Sequence, residues 1–432
     1  MSQRIDLNPN TSSAADVRAA NPTATEYAIE KYTPAKTVRR GIGLCLSGGG
    51  FRATLFHLGA LRRLNELGIL ARDDFRTISS VSGGSITAAH LAATVNWSLR
   101  YPAADWEKFI AEPLRSFTKR DLRTGAIFKR LWPWNWVKGS VAVEELAKRI
   151  EKNLTNIRLK NLPDHPRFAF CATDMAFAVN WVFEKTGMGD YQVGHIMPVP
   201  EDWPLARSVA ASACFPPVFN PMRMPFKADA YVDGKARATD ERKWREAVSD
   251  LRLTDGGNYD SMGLEPVWKD HAIVLVSDAG SPLDFSSDGR LIWRLQRYVT
   301  IQAEQASALR KRWLISNFIA GVMDGAYWGI SSARTSYDPQ DRLGYSKELA
   351  SDVIAGIRTD LDAFSEAEAA VLENHGYLLA DAAIRKHVPE ILPGAIQGVA
   401  VPHKDWCPPQ KTEGQVREAL KGSDKRKIFG RG

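Results

Sequence analysis

Short apolar runs and helix-spaced apolar positions alternate along this chain. Gly41–Ser47 (GIGLCLS) is brief, continuous and followed by three glycines, the pattern of a buried strand. Phe51–Leu67 then places Leu55, Leu58, Leu61 and Leu64 at helical spacing. The order recurs: Phe75–Val81 reads as a strand, Ser82-Gly83-Gly84 as a tight turn, and Ser85–Val95 as a helix of small residues. Farther on, Arg167–Thr173 and Val179–Phe183 read as strands. Leu205–Cys214 reads as a helix stopped by Pro216-Pro217, and Ala272–Ser277 as another buried strand. From Leu291 to Ala370 the pattern is mainly helical. Strand, glycine turn and helix in repeated order predict an α/β fold.

Two segments interrupt this pattern and read as insertions. Residues 97–150 hold five of the 13 tryptophans, including Trp132, Trp134 and Trp136, and residues 222–252 are dense in charge of both signs. Residues 1–38 are polar and read as a loosely held arm. The chain divides on this reading into the arm, a core at 39–290, and a mainly helical extension at 291–432 packed on that core.

Composition narrows the class. With 44% hydrophobic and 25% charged residues among 432, the chain is neither collagenous nor low-complexity nor a polytopic membrane protein. The net charge of +7 is concentrated: Arg100–Lys160 carries 14 basic and 7 acidic residues, and Lys404–Gly432 carries 8 and 4. Such local basicity fits a surface facing nucleic acid or an anionic membrane, or a solvated helix face. Cys45, Cys171, Cys214 and Cys407 show no C-x-x-C spacing, which argues against a zinc ribbon and for a reducing, cytoplasmic compartment. The first residues lack a signal-peptide core and no run of 18 apolar residues occurs, so any membrane contact is expected to be peripheral.

Three motifs carry candidate chemistry. Ser80-Val81-Ser82-Gly83-Gly84 follows a strand and opens a helix, as a nucleophile elbow does, with Ser80 at the first glycine position. Ser47-Gly48-Gly49-Gly50-Phe51-Arg52 sits at another strand-to-helix junction, where bare backbone amides can cradle an anion. That cradle suits a phosphate, an oxyanion of acyl transfer, or no ligand at all; Phe51-Arg52 in place of Lys-Ser/Thr argues against a P-loop. Thr254-Asp255-Gly256-Gly257 presents a carboxylate on an open turn, or is a plain β-turn. Asp233-Gly234 is a weaker rival, followed by Lys235.

Taken in order, LSGGGFRA, SSVSGGS, LARSVAASACFPPVFNP and TDGGNYDSMGLEPVW resemble the blocks of the patatin-like phospholipase family over about residues 38–290. The resemblance implies a three-layer α/β/α fold with a central, mostly parallel sheet. It implies a lipid acyl hydrolase of phospholipase A or lysophospholipase type, using a Ser–Asp dyad, an acyl-enzyme, and no cofactor or metal. On the matching positions, Ser82 is the nucleophile and Asp255 the base, with oxyanion amides at Gly48, Gly49 and Gly50. Arg52 beside them orients the cradle, binds a phosphate head group, or makes a structural ion pair. None of the eight histidines is needed; His57 and His90 follow the two glycine turns.

The implied partner is a phospholipid or other acyl-ester lipid at an anionic membrane surface, with no nucleic acid polymer. Trp132–Trp136, flanked by Lys129, Arg130 and Lys138, reads either as an interfacial anchor or as a buried hairpin; Lys425-Arg426-Lys427 reads as an aid to it or a frayed end. The same chemistry also suits a signal-activated, membrane-degrading effector of bacterial defence that binds a regulatory small molecule. An inactive lipid-binding module fits less well, since both dyad residues are present.

Overall fold

Among the described residues ten strands form one sheet: β1 (Ile42–Leu46), β2 (Phe75–Val81), β3 (Arg167–Asp174), β4 (Asn180–Phe183), β5 (Met188–Asp190), β6 (Gly194–Ile196), β7 (Met222–Arg223), β8 (Arg252–Asp255), β9 (Ile273–Asp278) and β10 (Asp324–Gly329). The computed structural model describes residues 39–126, 140–216, 218–280, 291–394 and 398–425. Strands run β10-β9-β1-β2-β3-β4-β5-β6 across the sheet, with β8 on β3 and β7 on β8. The first five in that order are parallel and the remainder antiparallel. This is an α/β fold with a mostly parallel central sheet.

The layers follow from the period of two along a strand. In β1, Ile42, Leu44 and Leu46 join the large core while Cys45 faces a second one; in β9, Leu275 joins the first and Val274 and Val276 the second. Both faces of the middle strands are therefore covered, which accounts for their unbroken apolar runs. The large core takes α1 (Gly50–Glu66), α2 (Gly83–Thr94), α3 (Val141–Asn153), α4 (Leu205–Ser212), and Trp244 and Val248 of α5 (Glu241–Ser249). The second core is closed by Met262–Trp268 and by Leu314 of α6 (Leu291–Ile319).

The last long helix, α7 (Glu366–His387), starts with a Ser365/Glu368 capping box and is buried from Ala367 to Ile384. It crosses α1 closely: a Cβ on Gly376 would lie 1.9 Å from the Phe56 carbonyl oxygen. Buried Asp381 of α7 accepts from Arg63 of α1 at 2.7 Å and from Arg334 at 3.0 Å.

Several expectations change here. The stretch read as helical after Leu291 contains β10, which pairs in parallel with β9 from Asp324↔Ile273 to Gly329↔Asp278. Its sequence, DGAYWG, has two glycines and no alternation, so no local strand signal exists. Residues 291–425 therefore complete the central sheet instead of lying on a finished core, and the described residues from Arg40 onward form one compact unit. Residues 222–252 are likewise built in, because β7 pairs with β8 and Trp244 Nε1 donates to the Val193 carbonyl at 3.0 Å. Of the five tryptophans in 97–150, Trp97 and Trp106 are core residues. The Trp132–Trp136 cluster, the arm at 1–38 and the tail from Arg426 lie outside the described residues.

Candidate active site

Strands β2 and β8 both pair with β3 and approach each other end to end. Val81 is opposite Cys171, and Asp255 is opposite the next residue, Ala172. Because β2 is parallel to β3 and β8 antiparallel, their C-terminal ends meet. The chain leaving β2 presents Ser82 there, and β8 ends on Asp255. Two residues 173 positions apart in sequence are thus made neighbours by register alone.

Ser82 has φ 51° and ψ −117°, a backbone conformation seldom adopted by a residue with a side chain. Such strain marks a sharp strand-to-helix turn. The turn fits only because its neighbours are bare: a Cβ on Gly83 would sit 2.0 Å from the Gly50 carbonyl oxygen. The two glycine turns are interlocked, and Thr54 Oγ1 ties them by donating to the Gly83 carbonyl at 2.9 Å.

Asp255 is 2% exposed. Its Oδ1 accepts from the Gly257 amide at 2.8 Å, while Oδ2 has no partner at full hydrogen-bond geometry. Burial raises the carboxyl pKa to about 7, against the lowering effects of the Gly257 amide and the Ser82 hydroxyl. The Ser82 hydroxyl is near enough to lower that pKa without making a hydrogen bond to Oδ2. A carboxylate held this way is a far stronger base than one in water.

The oxyanion cradle differs from the expectation. The Gly48 amide donates to the Ser261 carbonyl at 2.9 Å, so it supplies no oxyanion bond in this arrangement. Among the described residues no hydrogen bond occupies the amides of Gly49 and Gly50, whose φ values of 137° and 56° turn the chain toward the elbow. Gly48 instead sets spacing: its Cβ would lie 3.3 Å from that of Ser82.

Arg52 is also corrected. It is 1% exposed, and its guanidinium donates to the carbonyls of Ala355 at 2.7 Å, Ile357 at 2.8 Å and Ala279 at 2.6 Å. No lipid phosphate reaches a guanidinium enclosed in this way. The side chain ties the end of β9 and the 355–357 turn to the first turn of α1, which is the orienting role in place of the head-group one. The Asp360 carbonyl completes that support by accepting from the Phe51 amide at 2.9 Å.

His57 and His90 play no part at Ser82. His57 bonds Ser277 Oγ at 2.7 Å and the Ser47 carbonyl at 3.0 Å, and burial lowers its pKa to about 4, so it is neutral. His90 Nε2 bonds the Ile110 carbonyl at 2.9 Å.

Ser212, at the end of α4, has a larger place than its sequence suggested. Its Oγ accepts from the Ser82 amide at 2.9 Å, donates to the Cys171 carbonyl at 2.6 Å, and contacts Ser85 Oγ at 2.9 Å. Its own carbonyl accepts from the Gly256 amide at 3.2 Å. One residue thus holds both the elbow and the Asp255 turn. Ser208 and Ser212 are equally plausible in the string LARSVAAS, and only the structure distinguishes them. Ser80, in the position of a glycine, is buried and takes a hydrogen bond from Ser85 Oγ at 3.1 Å, so the hydroxyl is accommodated.

Residues 44–268, just over half of the chain, match the patatin-like phospholipase family. No curated protein sequence matches. Among solved structures, human GIVD cytosolic phospholipase A2 is similar at 11% identity and TM-score 0.43, over 94% of this chain and 65% of that one. VipD from Legionella pneumophila is similar at 14% identity and TM-score 0.33, over 81% of this chain and 67% of that one. The chain thus spans about two thirds of the length of either.

Proposed function

The chain belongs to the patatin-like phospholipase family, and from that premise we propose that it is a lipid acyl hydrolase of phospholipase A or lysophospholipase type, with Ser82 as nucleophile and Asp255 as base. The observation that carries the reading is the strained Ser82 beside a buried carboxylate whose pKa is raised to about 7.

The reaction starts with ionised Asp255. As Ser82 Oγ attacks the ester carbonyl, Asp255 Oδ2 takes the hydroxyl proton, and the amides of Gly49 and Gly50 receive the oxyanion. Collapse expels the alcohol or lysolipid, which takes the proton back from Asp255 and leaves an acyl-serine. A water then repeats the sequence with Asp255 again as base, releasing the fatty acid and restoring Ser82. Strain at Ser82 and amides fixed before substrate arrives lower the reorganisation needed in the transition state.

The test is fatty-acid release from phospholipid vesicles, with product masses read from a mixed lipid extract. Ser82→Ala and Asp255→Asn each lower the rate at least about 10³-fold. Full activity in either folded variant removes the dyad.

A second reading, activation by an anionic small molecule, is favoured by a cleft of about 910 Å³ between α3, α4 and residues 223–228. Five basic side chains line it, Lys148 and Lys227 among them, while Arg207 pairs with Glu144, Arg223 with Asp250 and Arg245 with Asp229. A panel of cyclic nucleotides that raises vesicle hydrolysis supports this reading; an unchanged rate across the panel rejects it.

A further inference from the structure

Helix α6 has two faces of opposite character. One meets the candidate site. Ser307 Oγ contacts Ser261 Oγ at 2.9 Å, Arg310 donates to the Tyr259 carbonyl, Lys311 pairs with Asp278 at 3.0 Å, and Leu314 is fully buried. These anchors land on functional segments. Ser261 is the residue whose carbonyl holds the Gly48 amide, Tyr259 lies in the turn after Asp255, and Asp278 ends β9 beside the Arg52-bound Ala279.

The opposite face is uncovered. Tyr298 is 56% exposed, Ile301 41%, Leu309 59% and Ile319 82%. At about 100° per residue these four fall within an arc of about 80°, and Arg312 lies inside the same arc. The arc runs the length from Tyr298 to Ile319, about 32 Å at 1.5 Å per residue. Exposed Gln305 and Ser316 share the arc with the four apolar side chains, a mixed face of the kind that lies at a polar–apolar boundary. Of the basic residues of this helix, Arg310 and Lys311 serve the inner face and Arg297 pairs with Glu304, while Arg294 and Arg312 fall within the outer arc, which holds no acid. Two such helices repel each other, whereas anionic lipid attracts both the charge and the apolar side chains. No helix among the described residues is long and apolar enough to cross a membrane.

We propose that the outer face of α6 is the surface on which this protein docks to a bilayer containing anionic phospholipid, with Tyr298, Ile301, Leu309 and Ile319 entering the headgroup layer and Arg312 meeting lipid phosphate. The reading of the site as a lipid hydrolase gives this surface its purpose, but docking is measured independently of catalysis. Through Ser307, Arg310 and Lys311 the docked helix bears directly on the glycine turn and the Asp255 turn.

The experiment is sedimentation of the full chain with vesicles of phosphatidylcholine alone or with 30% phosphatidylglycerol, alongside hydrolysis of a soluble short-chain ester and analytical ultracentrifugation. Wild type co-sediments with the anionic vesicles, and Ile301→Asp/Leu309→Asp/Ile319→Asp lowers the bound fraction at least tenfold. Arg312→Glu reduces the preference for anionic over neutral vesicles. Because the substituted side chains are exposed, folding is checked by an unchanged melting temperature. Wild-type binding equal to that of the triple variant overturns the proposal. So does a wild-type dimer that the triple variant breaks without any vesicle binding, which assigns the face to a second copy. Vesicle binding without ester hydrolysis keeps the docking surface and rejects the hydrolase.

Discussion

The main-chain amide of Ser82 donates to Ser212 Oγ at 2.9 Å, so the strained residue is held by a hydroxyl from another helix. Ser212 passes the constraint on to Cys171 of β3, and its carbonyl fixes the Gly256 amide beside Asp255. Ser212 touches no reacting atom in this scheme; it positions the two that do. In Ser212→Ala, a buried amide and a buried carbonyl lose their partner, at about 1–3 kcal/mol together. The expected result is a kcat lowered about 10- to 100-fold with KM nearly constant. A rise in KM at constant kcat would contradict the positioning role.

The raised pKa of Asp255 predicts how activity follows pH. In the proposed dyad Asp255 works only when ionised, and burial sets its pKa near 7. With a soluble ester as substrate, kcat/KM rises with unit slope as pH approaches 7 and levels off above it. A profile flat from pH 5 to 9 contradicts Asp255 as the base.

The same shift carries a stability consequence of opposite sign. A folded-state pKa above the unfolded value of about 3.9 means that the folded chain binds the proton more tightly. That stabilising contribution is complete below pH 4 and is lost as pH rises through about 7. Asp255→Asn removes the charged state, so its melting temperature gains on wild type with increasing pH. The corresponding gain in unfolding free energy reaches at most about 4 kcal/mol at pH 8. Equal differences at pH 4 and pH 8 would count against the shift.

Arg52 offers a test between support and lipid binding. Arg52→Met leaves the carbonyls of Ala279, Ala355 and Ile357 without this donor inside the protein. Loss of about 2–4 kcal/mol of stability is expected, measured by urea unfolding. Head-group preference on mixed vesicles stays as in wild type. A shifted preference with unchanged stability would restore the head-group role.

Truncation tests the division at residue 290. A chain ending there lacks β10, α7 and the Asp360 carbonyl, and so exposes an edge of β9 and the face of α1 that α7 covers. Such a chain is expected to be insoluble or to melt without cooperativity, as followed by circular dichroism on heating. A soluble, cooperatively melting 1–290 fragment would show that the extension is dispensable.

The sequence by itself determined the local parts of this protein. GIGLCLS, FRTISSV and AIVLVS are strands because both their faces are buried, and the glycine-rich strings beside the first two turn because larger residues do not fit. Ser82 and Asp255 stand out as candidates because each sits in a short string whose chemistry is local. The tertiary structure decided what depends on distant segments meeting. It ended β2 and β8 on adjacent residues of β3, engaged the Gly48 amide with Ser261 while leaving those of Gly49 and Gly50 without such a bond, and enclosed Arg52 among three carbonyls. It chose Ser212 over Ser208 and drew DGAYWG into the sheet beside β9. None of these carries a local signal, because hydrogen bonds between segments distant in sequence depend on register and close approach, which neither periodicity nor composition encodes.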